Sequence, residues 1–451
     1  MTNIFNSIVA GSSSNNSILT TSEYLIPIFL AMIFAASLFS SRTKVPYTMG
    51  LVGIGIAISL FLGLTRGGDV VGLNIVNFNR LDPKLIIDFV IPPLIFEAMM
   101  KVDYYNEFKA IRVSALLLSS VGVVIATFVT GLLLLYLAHL PLLVAFTFAA
   151  LIAPTDAAIV IEIFKRVRGV PGLLSSMMES EASLNDATGI IVFSSIIALA
   201  SFSSNTIIAS NFNIVYEIGR FAFVFFGGVA IGLGIAAATH RLHSLMNDPF
   251  SETALTIATV FGSVVLANSL GFSGLVAVAV AGLYFGNATV KKEADMSLKV
   301  RTAVFNFWEM AAFFATSAAF LYLGTSMNIL RIAENIPLIA LSFVAVLVAR
   351  AVSTYSILAA TNRLTREKIP VIWRHVVMLG GMRGAVSVAL VASIPLTVGG
   401  EFKTTLETIT FGVVLLSLVI QYIALTKYVS RAFPKDTSTA ANFNNTNILE
   451  D

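Results

Sequence analysis

Cysteine is missing from all 451 residues, so the chain can form no disulfide and offers no thiolate to a metal. Histidine is almost as scarce. His139, His240, His243 and His375 lie near the ends of apolar runs with no ligand spacing, which argues against a histidine metal centre. Charge is short as well: 12% of residues are Asp, Glu, Lys or Arg, where a soluble chain carries about 25%. The net charge of +3 is too small to point to nucleic acid. No Walker motif and no Gly-x-Gly-x-x-Gly turn in a strand–helix setting occurs, so transport driven by ATP is not expected. A nucleophile–base constellation is lacking too, and the chain does not read as an enzyme. The first 21 residues have no basic segment, and a polar tail is expected there rather than a cleavable signal.

What fills the chain is apolar: 57% of residues are hydrophobic and the mean hydropathy is +0.89. Hydropathy that high along the whole length predicts an all-α polytopic membrane protein. The apolar runs are too long and too unalternated for a β-barrel. Thirteen spans are expected, near 23–41, 47–64, 83–101, 113–138, 141–164, 173–203, 214–239, 250–270, 272–287, 303–325, 337–361, 371–395 and 404–427. The odd-numbered connections and the C-terminal end hold 20 of the 28 basic residues. The excess of Lys and Arg marks the cytoplasmic side, which places the N-terminus outside and the C-terminus inside. Spans 1–6 and 8–13 are then related by an odd offset, as two inverted six-helix repeats, an arrangement that puts a transport site at mid-membrane on interrupted helices. Interruptions are expected at I-A-P-T-D (152–156) in span 5 and L-G-G-M-R-G (379–384) in span 12, because Pro withholds a donor and Gly weakens a helix. The organisation that follows is a polar extracellular tail over 1–22, a first repeat over 23–205, a linking helix and cytoplasmic loop over 206–248, a second repeat over 249–428 and a short cytoplasmic tail over 429–451.

A charge at the bilayer centre costs on the order of 2.5–3.5 kcal/mol on insertion scales, so charges there default to function. Asp156 in span 5, Glu181 and Asp186 in span 6, Arg350 in span 11 and Arg383 in span 12 all fall close to mid-depth. Glu97 follows Pro92-Pro93 near the inner end of span 3, where it could line a cytoplasmic funnel. Glu181 and Asn185, four apart, share a helix face, whereas Asp186 is turned about 140° from Glu181. One acid is therefore structural and neutralised by an arginine, and another faces the pathway with a replaceable partner. For a lone carboxylate that partner is a proton or a hard cation held by oxygens, and Thr155, Asp156 and Asp186 could supply them. The alternative is two buried ion pairs, Asp156 and Asp186 each with an arginine, and no ion site.

The segments A-P-T-D-A-A-I-V (153–160), F-K-R (164–166) and E-A-S-L-N-D-A-T-G (181–189) resemble the NhaP-type sodium/proton antiporters of the monovalent cation/proton antiporter superfamily. The likeness continues through P-P-L-I-F-E (92–97), F-W-E-M-A-A-F (307–313), L-V-A-R-A-V-S (347–353) and G-G-M-R-G-A-V-S (380–387), so it covers essentially all thirteen spans in order. It implies an NhaA-like antiporter fold with broken crossing helices 5 and 12. It also implies electroneutral exchange of one Na+ for one H+ without a cofactor, in the plasma membrane, by a homodimer whose spans 4–6 and 11–13 move against the rest. By the same resemblance Asp186 carries either cation or proton, with Asp156, Thr155, Asn185 and Ser183 around the ion and Glu97 on the pathway. Glu181 would pair with Arg350, and Arg383 would support the site. Two departures stand out: Ala182 replaces the serine of the usual E-S-L-L-N-D, and Ala157 replaces the proline usual after Thr-Asp. Both bear on the choice among Na+, Li+ and K+.

Overall fold

A computed structural model describes residues 27–43, 45–64, 86–101, 108–167, 169–203, 214–243, 245, 248–289, 297–327, 329–365, 367–394 and 396–433. The expected tail over 1–22, and 434–451 of the expected tail over 429–451, lie outside the described residues. Every regular element among the described residues is helical. The chain divides into two compact units, Met1–Leu81 with Ser317–Ile329, and Asp82–Thr316 with Leu330–Asp451.

In the first unit α1 (Pro27–Thr43) packs against α2 (Tyr47–Leu64) near Gly50, and α2 meets the segment from Ser317 onward. Tyr47 Oη and Ser317 Oγ are 2.8 Å apart, and Ser59 Oγ donates to the Met327 carbonyl at 3.1 Å. A Cβ on Gly55 would stand 2.8 Å from Gly324 Cα. The two backbones therefore touch, which is how small residues let apolar helices associate without a hydrophobic drive between them.

The second unit runs through α3 (Ile91–Lys101), α4 (Phe108–Ser119), α5 (Val121–Leu137), α6 (Leu142–Ile152), α7 (Ala158–Arg166), α8 (Gly172–Ser203) and α9 (Ile214–His243). It continues with α10 (Pro249–Ser269), α11 (Gly274–Tyr284) and α12 (Leu298–Ser326), of which residues up to Thr316 belong here. Then come α13 (Ile329–Glu334), which belongs here from Leu330 onward, α14 (Ile336–Leu364), α15 (Val371–Leu379), α16 (Ala385–Ala392), α17 (Leu396–Leu416) and α18 (Tyr422–Ala432). Among the described residues, six helical stretches are long and apolar enough to cross a membrane: Ile111–Leu137, Ala222–His243, Pro249–Ser269, Leu298–Ser326, Ile336–Leu364 and Phe402–Ala432. Pro27–Thr43, Tyr47–Leu60, Leu142–Ile152 and Gly274–Asn287 are apolar but shorter. The chain is a multi-pass membrane protein.

Local chemistry shapes the helices that carry the site. Pro92 and Pro93 withhold two donors, and the chain just ahead of them opens into a π turn, Ile86–Val90. Downstream, α3 is fixed by buried aromatics: the Phe96 ring lies 4.7 Å from Trp308 and 6.0 Å from Phe285, and Trp308 Nε1 donates to Thr256 Oγ1 at 2.9 Å. A second π turn, Ser417–Gln421, separates α17 from α18. In the loop before α10, Asp248 accepts from the Ser251 amide at 2.9 Å and the Ser251 hydroxyl at 2.8 Å, with Pro249 opening the helix. Those hydrogen bonds hold its carboxyl below the ordinary range.

Candidate ion-binding site

The chain leaves helical conformation twice where the sequence has its Pro and Gly, at Ala153–Ala157 between α6 and α7, and at 380–384 between α15 and α16. The two breaks meet. The Asp156 amide donates to the Met382 carbonyl at 2.8 Å. Arg383, 1% exposed, donates from Nη1 to the Ala153 carbonyl at 2.6 Å and the Pro154 carbonyl at 3.1 Å. It thus sits at the negative end of α6, where a cation complements the helix dipole and satisfies carbonyls freed by the break. Gly384 is there for room: a Cβ would fall 2.2 Å from Asp156 Oδ2. Gly189 on α8 is held equally close, since its Cβ would meet Pro154 Cγ at 2.2 Å.

Behind the first break lies a dry polar network. Arg350 on α14 grips Glu181 on α8 with both arms, Nη1 to Oε1 at 2.8 Å and Nη2 to Oε2 at 3.1 Å, and Nη2 also donates to the Val377 carbonyl at 3.0 Å. Glu181 is 1% exposed and Arg350 4%, so both charges are out of water, and a bidentate pairing is the geometry that compensates that best. Asn185, one turn along α8, donates to Glu181 Oε1 at 2.9 Å and to Thr155 Oγ1 at 2.7 Å, and its Oδ1 accepts from the Thr155 amide at 3.1 Å. Thr155 Oγ1 in turn faces Glu181 Oε2 at 3.4 Å. Both amide hydrogens of Asn185 are used within this network.

On the other side of α8 is a cavity of about 400 Å3. Asp156 and Asp186 both line it, with Thr155, Pro154, Ala182, Gly384 and Glu97 on the same wall or mouth. Asp156 Oδ1 accepts from the Ala158 amide at 2.8 Å, at the start of α7. Among the described residues no protein group is hydrogen-bonded to the Asp186 carboxylate, and neither buried arginine is ion-paired with Asp156 or Asp186. Glu97 forms an ion pair with Lys101, one turn along α3, and Lys101 Nζ is 3.9 Å from Glu309. Glu179 is exposed on α8, also on the cavity wall. Ser183 lies in α8, but its side chain is outside the described set.

Sequence reasoning passed over the brace of the second break. Ser417 Oγ accepts from the Arg383 amide at 3.0 Å and pairs with Gln421 Oε1 at 2.5 Å. Gln421 Nε2 donates to the Leu379 carbonyl at 3.3 Å and the Gly381 carbonyl at 3.4 Å. The clue was present: Ser417 and Gln421 are two polar residues four apart in an apolar run, a pattern that marks one buried face.

A helical membrane protein whose two unwound segments meet beside two carboxylates, with no fixed counter-charge paired to either among the described residues, belongs to the class of secondary transporters for small cations. Residues 28–431 match the sodium/hydrogen exchanger transmembrane family, and the chain belongs to that family. It is 32% identical over 414 residues to the Na+/H+ antiporter ApNhaP of Aphanothece halophytica, covering 90% of this chain and 73% of the relative. With the low-affinity Na+/H+ antiporter NhaS1 of Synechocystis it shares 31% identity over 382 residues, 84% of this chain and 68% of the relative. Its fold superposes on that of the sodium proton antiporter MjNhaP1 of Methanocaldococcus jannaschii with a TM-score of 0.76 at 20% identity, over 93% of this chain and 100% of the other.

Proposed function

We propose that the chain exchanges Na+ for H+ across the plasma membrane, one for one, with the two ions competing for Asp186. One observation carries this reading: Arg350 and Arg383 are committed elsewhere, to Glu181 and to the carbonyls of Ala153 and Pro154, so Asp186 faces the cavity without a fixed counter-charge. An ionised carboxylate left bare in the membrane is costly. It must take a proton or a cation before the moving helices can cross, and that requirement alone couples the two fluxes. Asp156, Thr155 and the carbonyls around Pro154 complete an oxygen-rich shell suited to a hard cation. Asn185 and Glu181 act from behind, holding Thr155 and the unwound segment in place, and Glu97 with Lys101 stands at the mouth of the pathway.

In this reading the protein has thirteen spans in two inverted repeats, over 23–205 and 249–428, joined by 206–248. The N-terminus is outside, the C-terminus is cytoplasmic, and two copies form a homodimer. The loop distribution of Lys and Arg supports the orientation, and the meeting of the breaks at Asp156 and Met382 supports the repeat. K+ in place of Na+ is a second reading, favoured by Ala182, a methyl on the cavity wall where relatives of this type carry a serine. The test is exchange in proteoliposomes with an internal pH dye, comparing Na+, Li+ and K+. Wild type should dequench the dye on adding Na+, and Asp186→Asn should not. Exchange by Asp186→Asn at the wild-type rate would rule the mechanism out.

A further inference from the structure

We infer that the Ser387 hydroxyl is a ligand of the transported cation, supplying from α16 the oxygen that Ala182 no longer supplies from α8. The inference rests on the cation/proton reading above and adds a residue to that site. Ser387 is 1% exposed, yet its Oγ has no hydrogen-bond partner among the described residues. Nine other buried side-chain atoms share that condition, but none of them belongs to a residue on the cavity wall, and Ser387 does. A buried hydroxyl without a partner costs about 1–3 kcal/mol, so a residue kept in that state calls for a reason in what visits it.

Its position says what visits. Gly384 is pressed against Asp156, close enough that a Cβ would overlap Oδ2. Ser387 is three residues further along, in the first turn of α16, of which Gly384 is the extended N-cap. Gly384, Ala385, Val386 and Ser387 line the same cavity as Asp186 and Ala182. A hydroxyl rotates to present a lone pair to a cation, and a hard cation bound at Asp186 takes further oxygen ligands from the wall around it. Ala182 gives the cavity only a methyl from α8, whereas Ser387 brings a hydroxyl to the same cavity from the other broken helix.

The experiment compares half-saturating Na+ in proteoliposomes for wild type, Ser387→Ala, Ser387→Thr and Ser387→Val. Threonine and valine have the same shape and differ in the hydroxyl, so that pair reads the oxygen at constant packing. Ser387→Ala and Ser387→Val should raise half-saturating Na+ roughly tenfold, the change in maximal rate being smaller, while Ser387→Thr stays within about twofold of wild type; a tenfold change corresponds to about 1.4 kcal/mol. Adding Ala182→Ser to Ser387→Ala should recover most of the loss. Equal half-saturation in the Thr and Val variants, or a loss of maximal rate shared by both, would make Ser387 a packing residue and overturn the assignment. Failure of the exchange reading itself looks different, because it would show in wild type and in Asp186→Asn and not in the contrast between Thr and Val.

Discussion

At Glu181 two buried charges depend on each other. With Glu181 and Arg350 almost without solvent contact, removing one partner strands the other, and breaking such a pair costs about 3–5 kcal/mol. Replacing both leaves no stranded charge. Glu181→Ala and Arg350→Ala should therefore each lower the melting midpoint of the purified protein more than the double variant does. A double variant less stable than either single one would show that the pair is not the unit of stability. Asp186 differs from Glu181 in having no such partner, although both are acids on one helix. The sequence showed that these two acids point in different directions, through their five-residue spacing. It did not show which arginine each faces, because 169 positions separate Glu181 from Arg350 and no local pattern spans that distance.

Elements here are defined as much by their interruptions as by their lengths. Pro154 and the glycines at 380, 381 and 384 made both breaks legible in advance. The π turn at Ser417–Gln421 was not, because no Pro or Gly marks it; its cause is tertiary, since Ser417 and Gln421 are drawn to the carbonyls and amide that the second break leaves unpaired. Gln421→Leu removes both donor contacts to Leu379 and Gly381. Unpaired buried carbonyls cost about 1–3 kcal/mol, so this variant should unfold at lower temperature and exchange more slowly, whereas Gln421→Asn should fall between it and wild type. The outcome is read by a thermal shift in detergent beside the dye assay. Wild-type values for both measurements in Gln421→Leu would refute the bracing role.

For the molecule as a whole, the count of mobile charges decides how it responds to voltage. In the proposed mechanism a single exchangeable carboxylate, Asp186, carries one positive charge in each direction, either Na+ or H+, and no net charge moves per cycle. Moving one elementary charge through 100 mV is worth about 2.3 kcal/mol, so an electrogenic cycle would respond strongly to an imposed potential. Exchange should therefore keep its rate when a potassium diffusion potential is set with valinomycin in liposomes holding the protein. A rate that follows the potential would mean that a second charge, with Asp156 the first suspect, takes part.

The apolar runs, the uneven share of Lys and Arg among the connections and the two weak points at 152–156 and 379–384 were determined by the sequence alone, because hydropathy, charge placement and the backbone chemistry of Pro and Gly all act over a few residues. The cluster of intramembrane acids was legible for the same reason: the cost of a charge in lipid belongs to the residue itself. Only tertiary structure decided the partners. It sent Arg350 to Glu181 and Arg383 to the carbonyls of Ala153 and Pro154, turned Asn185 away from the cavity into the network behind it, and set Ser387 on the cavity wall. Each of those choices depends on how helices distant in sequence cross, and a crossing is fixed by close contacts such as Gly384 on Asp156 and Gly189 on Pro154, where the absence of a side chain, rather than its presence, determines what can meet.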